Sequence, residues 1–223
     1  MKNSLFISLV FSLLLSSCAY DNFDEPTSTI SGQVVYQGKT LGFRNNALTL
    51  QLYQPGYDLY TAVNVAIKED GTFNAVMFDG DYRLINPAGT TQPWIPRTDT
   101  LKFTLRGSVN LDYEVTPYFI ISDETYTKSG NNISGTCKLE QVVSTATLQS
   151  ATLYISRTAF CSENFNEGKH QLNAAAITDL NNVSFTAAIP QRLIDQGYCY
   201  VRIGVKASQS SERLYTQSNK ITF

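Results

Sequence analysis

The sequence predicts an all-β chain folded as two tandem β-sandwich domains, and three features carry that prediction. From residue 29 onward, apolar residues alternate with polar ones at a period of two. Turn dipeptides, above all Asp-Gly, separate the alternating runs. A break at Thr116-Pro117-Tyr118-Phe119 then divides the runs into two sets of roughly 90 and 105 residues, each long enough for its own core.

In the first set, residues 29–118, Ile30, Gly32, Val34 and Tyr36 share one strand face before Gln37-Gly38. Leu48, Leu50 and Leu52 follow and end at Pro55-Gly56. Val63, Val65 and Ile67 lead into Asp70-Gly71, and Phe73, Ala75 and Met77 into Asp79-Gly80. Asp-Gly between alternating runs signals a hairpin, because glycine accepts the positive φ that tight turns require. Leu101, Phe103 and Leu105 form another strand, as do Val109, Leu111, Tyr113 and Val115. In the second set, residues 119–223, Ile133 to Leu139, Ala151 to Ile155, Val183 to Ile189 and Cys199 to Val205 alternate in the same way, and Leu214 to Phe223 closes the chain. Pro190 to Gln196, with proline first and Gly197 after, is the one short helix expected.

Composition narrows the function classes. Only 16% of the 223 residues are charged, against about 25% in ordinary domains, and 12% are aromatic. A net charge of −2 offers no general attraction to phosphate backbones, which argues against a nucleic-acid binder.

The first residues read as an export signal. Lys2 is followed by an apolar run from Leu5 to Leu15, shorter than the ~20 residues of a membrane span. The run ends in Leu15-Ser16-Ser17-Cys18, which resembles a bacterial lipobox, so residues 1–17 are expected to be removed and Cys18 to carry lipid. Acyl chains contribute about 0.8 kcal/mol per buried methylene, so such a cysteine anchors the chain to a membrane without a spanning helix. Residues 18–28, with Asp21, Asp24, Glu25 and Pro26, read as a tether.

Three cysteines remain. Cys137 and Cys199 both read inward, so a disulfide between them suits strands B and F of an immunoglobulin-like sandwich. The alternative is that Cys137, Cys161 and Cys199 are all buried thiols. Chemistry is sparse elsewhere. His170, the sole histidine, reads as a polar-loop residue, and no nucleophile elbow, C-x-x-C pair or phosphate-cradling glycine run is present. Asp79, Asp81 and Asp99 are the carboxylates a glycosidase reading would use, but nothing in the sequence joins two of them across a cleft. No catalytic residue, metal or cofactor is expected.

Aromatics are the richer signal. Tyr53 faces away from the leucines of its strand, with Tyr57 and Tyr60 in the connection that follows. Trp94 lies between Pro93 and Pro96 in a loop-like segment. Flat rings in such places suit stacking on sugars, so Trp94, Tyr53, Tyr57 and Tyr60 are candidate ligand-binding residues. The competing reading makes Trp94 a plug for the first sandwich and the tyrosines amphipathic edge residues.

The tracts Ser31-Gly32-Gln33-Val34-Val35-Tyr36, Leu50-Gln51-Leu52-Tyr53-Gln54, Asp70-Gly71-Thr72-Phe73 and Phe78 to Leu84 occur together with Pro93-Trp94, Asp99-Thr100 and Val115 to Phe119. In this combination the chain resembles a family of two-domain Bacteroidetes lipoproteins of unknown function. The resemblance implies a first domain like the transthyretin or carboxypeptidase-regulatory fold and a second like an immunoglobulin or fibronectin type III domain. It implies lipid attachment at Cys18 and an outer-membrane, surface-exposed location, in line with the acidic tether. Association of such genes with SusC/SusD-type importers implies polysaccharide or oligosaccharide binding, or help to a glycan-uptake complex, without catalysis. The alternative function is a structural or assembly module that binds no sugar. Asp99-Thr100-Leu101 also resembles a short O-glycosylation motif of the same phylum.

Overall fold

The computed structural model describes residues 24–56, 60–87, 89 and 91–223. The leader, Cys18 with the first part of the tether, and Tyr57 lie outside the described residues.

The first sandwich pairs two sheets. β1 (Ser28–Tyr36) lies at the centre of one, flanked on one side by β5 (Thr72–Met77) and the short β2 (Lys39–Thr40), both antiparallel. On its other side β8 (Ser108–Asn110) and β9 (Tyr113–Glu114) run parallel to it. The chain between β8 and β9 presses so close that a Cβ on Gly32 would lie 1.8 Å from the Leu111 carbonyl oxygen, which only glycine allows. The second sheet has the order β4 (Val63–Ala66), β3 (Thr49–Tyr53), β6 (Gly80–Ile85), β7 (Leu101–Leu105). Ile30, Val34, Leu50, Leu52, Phe73 and Leu84 fill the space between the sheets, so the inward positions read from alternation are the buried ones. At Asp70-Gly71, Gly71 takes φ 86° and the Asp70 carboxylate accepts from the Thr72 amide at 3.0 Å, fixing that turn.

The second sandwich sets β10 (Phe119–Ser129), β11 (Asn132–Gln141) and β14 (Val183–Ala188) against β13 (Gly168–Asn173), β12 (Leu148–Ser156), β15 (Tyr198–Ala207) and β16 (Leu214–Tyr215). β17 (Asn219–Thr222) continues beside β15. In strand order this is the fibronectin type III variant of the immunoglobulin-like sandwich. A helix at Gln191–Gln196 follows Pro190 and stops at Gly197, whose φ of 82° lets its amide reach the carbonyls of Leu193 and Ile194. The fold is all-β in both halves.

Two expectations are corrected here. His170 is not in a loop: it lies on β13 opposite Leu153, and its Nδ1 accepts from the Thr186 amide at 3.0 Å. Cys137 and Cys199 do face the core from opposite sheets, but both are free thiols, as is Cys161. Their levels explain why. Gly135 lies against Leu153, whose cross-strand partner is Ile203, so these residues mark one level of the sandwich. Cys137 lies two residues beyond that level on β11. Cys199 lies four residues before Ile203, toward the end where the chain crosses from β14. At ~3.3 Å per residue the two are offset by about 20 Å, far outside disulfide reach.

The two sandwiches meet through a polar-centred junction. Arg202 of β15 is 1% exposed. Its Nε donates to the Thr216 carbonyl at 2.7 Å, and its other nitrogens reach the carbonyls of Phe43 and Glu69 in the first domain, both at 3.0 Å. Its guanidinium also lies 4.9 Å from the centroid of Tyr215. Around it the Tyr215 amide donates to the Gly42 carbonyl, Arg44 pairs with Glu212, and the Glu212 amide donates to the Thr91 carbonyl. One continuous set of buried apolar residues runs through both domains.

Candidate functional site

Trp94, the first candidate for sugar stacking, is fully buried and is corrected to a core residue. Its strand-like segment pairs with the interdomain linker: the Ile95 amide donates to the Thr116 carbonyl at 2.9 Å and the Tyr118 amide to the Pro93 carbonyl at 3.1 Å. That pairing drives the indole inward, where it meets Phe43 edge to face with centroids 5.3 Å apart. The plug reading is the right one.

Tyr53 and Tyr60 come together instead. β3 alternates Leu50 and Leu52 inward, so Tyr53 stands on the outer face, and the β3–β4 connection returns Tyr60 over it. The rings stack with centroids 4.8 Å apart and planes 28° from parallel, and Tyr60 is 49% exposed. The same face offers amide groups: Gln51 lies opposite Asn64 and donates to its Oδ1 at 3.3 Å. Tyr53 Oη approaches Gln51 Oε1 at 3.5 Å. The sheet order then places Arg83 of β6 directly opposite Tyr53, and Lys102 of β7 directly opposite Arg83. The sequence reading found the tyrosines but missed these two cations. Both sit at outward positions of alternating strands, which was the available signal.

The remaining carboxylates are occupied locally. Asp79 is held below the usual carboxylate range by the Ser28 hydroxyl, then by the Gly107 amide. Asp99 is likewise held low by its bond to Arg97. Asp81 accepts from Thr104 Oγ1 at 2.6 Å across β6 and β7. A glycosidase acid needs a carboxyl raised in a cleft and a partner across it, so this arrangement suits turn fixation better than acid–base work. Among the described residues no cluster of His, Cys, Asp and Glu suits a metal ion. Thr100 is exposed just before β7.

A second depression, of about 400 Å³, lies at the domain junction between Tyr36, Lys39, Asp123 and Gln217. Asp123 takes φ 51° at a β-bulge in β10 and pairs with Lys138 at 2.7 Å. Its bordering charges, with Glu124 and Glu140, are mixed in sign and it presents no stacked aromatic pair.

Comparison with known proteins places this architecture. Residues 28–116 match the family model described as the N-terminal domain of a protein of unknown function, DUF3823, and residues 119–220 match the DUF3823 C-terminal domain. A DUF3823 family protein from Bacteroides ovatus superposes with TM-score 0.81 at 31% identity, covering 87% of this chain and 98% of that one. The chain belongs to the DUF3823 family. A second member, from Parabacteroides merdae, gives TM-score 0.82 at 30% identity over 89% of this chain and 100% of its own. The fold extends to a protein from Bacteroides uniformis named as a "putative carbohydrate binding protein", with TM-score 0.74 at 18% identity over 89% and 100% of the two chains. No curated protein matches the sequence significantly. The two-domain family expected from the sequence is therefore the family observed, and its function is unknown.

Proposed function

We propose that this protein is a non-catalytic glycan-binding lipoprotein, anchored through Cys18 at the outer membrane and serving a glycan-uptake complex at the cell surface. The observation that carries the proposal is the exposed Tyr53–Tyr60 stack on the outer face of the first sandwich, bordered by Gln51, Asn64 and Arg83. Sugar C–H groups meet aromatic faces favourably, and amide and guanidinium donors suit the surrounding hydroxyls. The site lies on an outward sheet face with Tyr60 half exposed, a setting open to a polymer chain. The carbohydrate-binding designation of the Bacteroides uniformis relative agrees with this reading. Carboxylates held low by local bonds support the absence of acid–base catalysis.

Affinity electrophoresis through gels containing soluble polysaccharides tests the proposal. Retention by at least one polymer, lost in Tyr60→Ala but kept in a control such as Lys220→Ala, is the expected result. Uniform migration on every polymer would refute it. A second reading, a rigid spacer or assembly subunit, draws support from the Arg202 junction that fixes the two sandwiches together. It requires co-purification with an outer-membrane partner and no retention on any sugar.

A further inference from the structure

We propose that the glycan bound at this face is acidic, a uronate-containing polysaccharide whose carboxylate is held by Arg83 and Lys102. The proposal rests on the glycan-binding reading of the Tyr53–Tyr60 pair and adds the charge class of its ligand. Tyr53, Arg83 and Lys102 form one row across three adjacent strands, each residue directly opposite the next. Neighbouring strands lie about 4.8 Å apart. A uronate carboxylate projects from the edge of its ring, so a ring held against the tyrosines can place that group over the adjacent strand, where Arg83 stands.

The charges themselves argue for an anion. Like charges directly opposite on one sheet face destabilise it, yet Arg83 and Lys102 face one another with no carboxylate bonded to either among the described residues. The nearby carboxylate on this face, Asp81, is engaged by the Thr104 hydroxyl. Five described cations elsewhere hold a carboxylate (Arg44, Arg97, Lys138, Arg157 and Arg213) and others, among them Lys68 and Lys169, hold none; what sets Arg83 and Lys102 apart is that the two stand directly opposite one another. These two cations, with no bonded carboxylate among the described residues, stand on the same sheet face as Tyr53, in a chain whose net charge is −2. Pro55, Arg83, Lys102 and Thr104, with the Thr104-bonded Asp81 at its edge, border a shallow depression along β6 and β7, open to solvent and large enough for one sugar unit. The guanidinium fork matches a carboxylate with two parallel N–H···O bonds, and the ammonium adds a point charge.

The test is affinity electrophoresis of the wild-type chain, Tyr60→Ala, and the double variant Arg83→Gln with Lys102→Gln. The gels contain polygalacturonate, the same polymer reduced at its carboxyls to the neutral form, chondroitin sulfate after desulfation, dextran sulfate, or inorganic polyphosphate. The outward positions of both cations leave the core untouched, and matching thermal melts confirm that the variants fold. Wild type is expected to be retained by polygalacturonate and desulfated chondroitin, and several-fold less by the reduced polymer. The double variant is expected to lose about 3- to 30-fold in apparent affinity, as two solvent-exposed charge contacts imply, and Tyr60→Ala to lose binding as well. Equal retention by the reduced polymer, unchanged in the double variant but lost in Tyr60→Ala, overturns the acidic ligand while leaving the aromatic site standing. Retention by polyphosphate or dextran sulfate that ignores Tyr60→Ala overturns it in favour of unspecific polyanion binding. Absence of binding to every polymer overturns both this proposal and the reading beneath it.

Discussion

Replacing Arg202 by methionine tests the junction most sharply. Methionine keeps much of the side-chain volume and removes the charged donors. The carbonyls of Thr216, Phe43 and Glu69, now bonded at 2.7, 3.0 and 3.0 Å, would then lie buried without them. Hydrogen bonds from a charged group contribute about 1.5–3 kcal/mol each. Against this, burial disfavours the guanidinium and pulls its pKa down, outweighing the opposing attraction of nearby groups such as Glu69. Relief of that desolvation offsets part of the loss by several kcal/mol. The balance is a destabilisation of about 3–5 kcal/mol. For a chain of this length each kcal/mol moves the melting temperature by ~2–4 °C, so a drop of roughly 10 °C is expected. Because the Phe43 and Glu69 acceptors belong to the first domain, differential scanning calorimetry should also show one cooperative transition in the wild type broadening or splitting in the variant. A melting temperature within about 2 °C of wild type, with an unchanged single transition, would refute the assignment of Arg202 as the interdomain fastener.

Other perturbations give distinct signatures. Trp94→Ala removes a fully buried indole packed on Phe43, and should cost about 3–5 kcal/mol in denaturant titrations while leaving any residual sugar binding of the folded fraction unaltered. Gly32→Ala forces a Cβ to within 1.8 Å of the Leu111 carbonyl, so it should abolish soluble expression, whereas Gly107→Ala, with open space at its Cβ position and a strained φ of 69°, should cost about 1 kcal/mol. Burial raises the thiol pKa to about 12 at Cys137, about 12 at Cys161 and about 11 at Cys199, from an ordinary value of 9.0. Below pH 9 the thiols are protonated in both folded and unfolded chains and contribute no pH dependence. Above it the unfolded chain ionises first, so each thiol should remove about 1.4 kcal/mol of stability per pH unit until its folded pKa is reached. Urea melts at pH 8 and pH 10 check this. Thiol titration should find little reaction in the native protein and full reaction at Cys137, Cys161 and Cys199 after unreduced unfolding.

What the sequence made legible was local. Alternation assigned inward faces correctly along β1, β3, β11 and β15, because a strand's period of two is a property of each residue's neighbours. The strand after Asp79-Gly80 and the one holding His170 escaped notice because their outward residues carry charge and their apolar sets are short. The face of Cys137 and Cys199 was readable, but their levels along the sandwich were not, since those depend on how β14 hands over to β15. Trp94 looked like a loop residue because its pairing partner is the distant linker at Thr116 to Tyr118. Arg202 alternates with the inward Val201 and Ile203 of β15 and so stands on the outer face, where docking of the first domain covers it, which a period of two cannot show. At the candidate site, Tyr53 was found from its own strand, whereas its row with Arg83 and Lys102 required knowing that β3, β6 and β7 lie side by side.

The central claim is that Tyr53 and Tyr60 together form a glycan-binding surface. Isothermal titration of a retained oligosaccharide into wild type and into Tyr53→Ala, Tyr60→Ala and the double substitution measures it directly. Each ring is expected to contribute about 1 kcal/mol or more, so the double variant should bind at least tenfold more weakly with its thermal melt little changed. Undiminished affinity in the folded double variant would contradict the account.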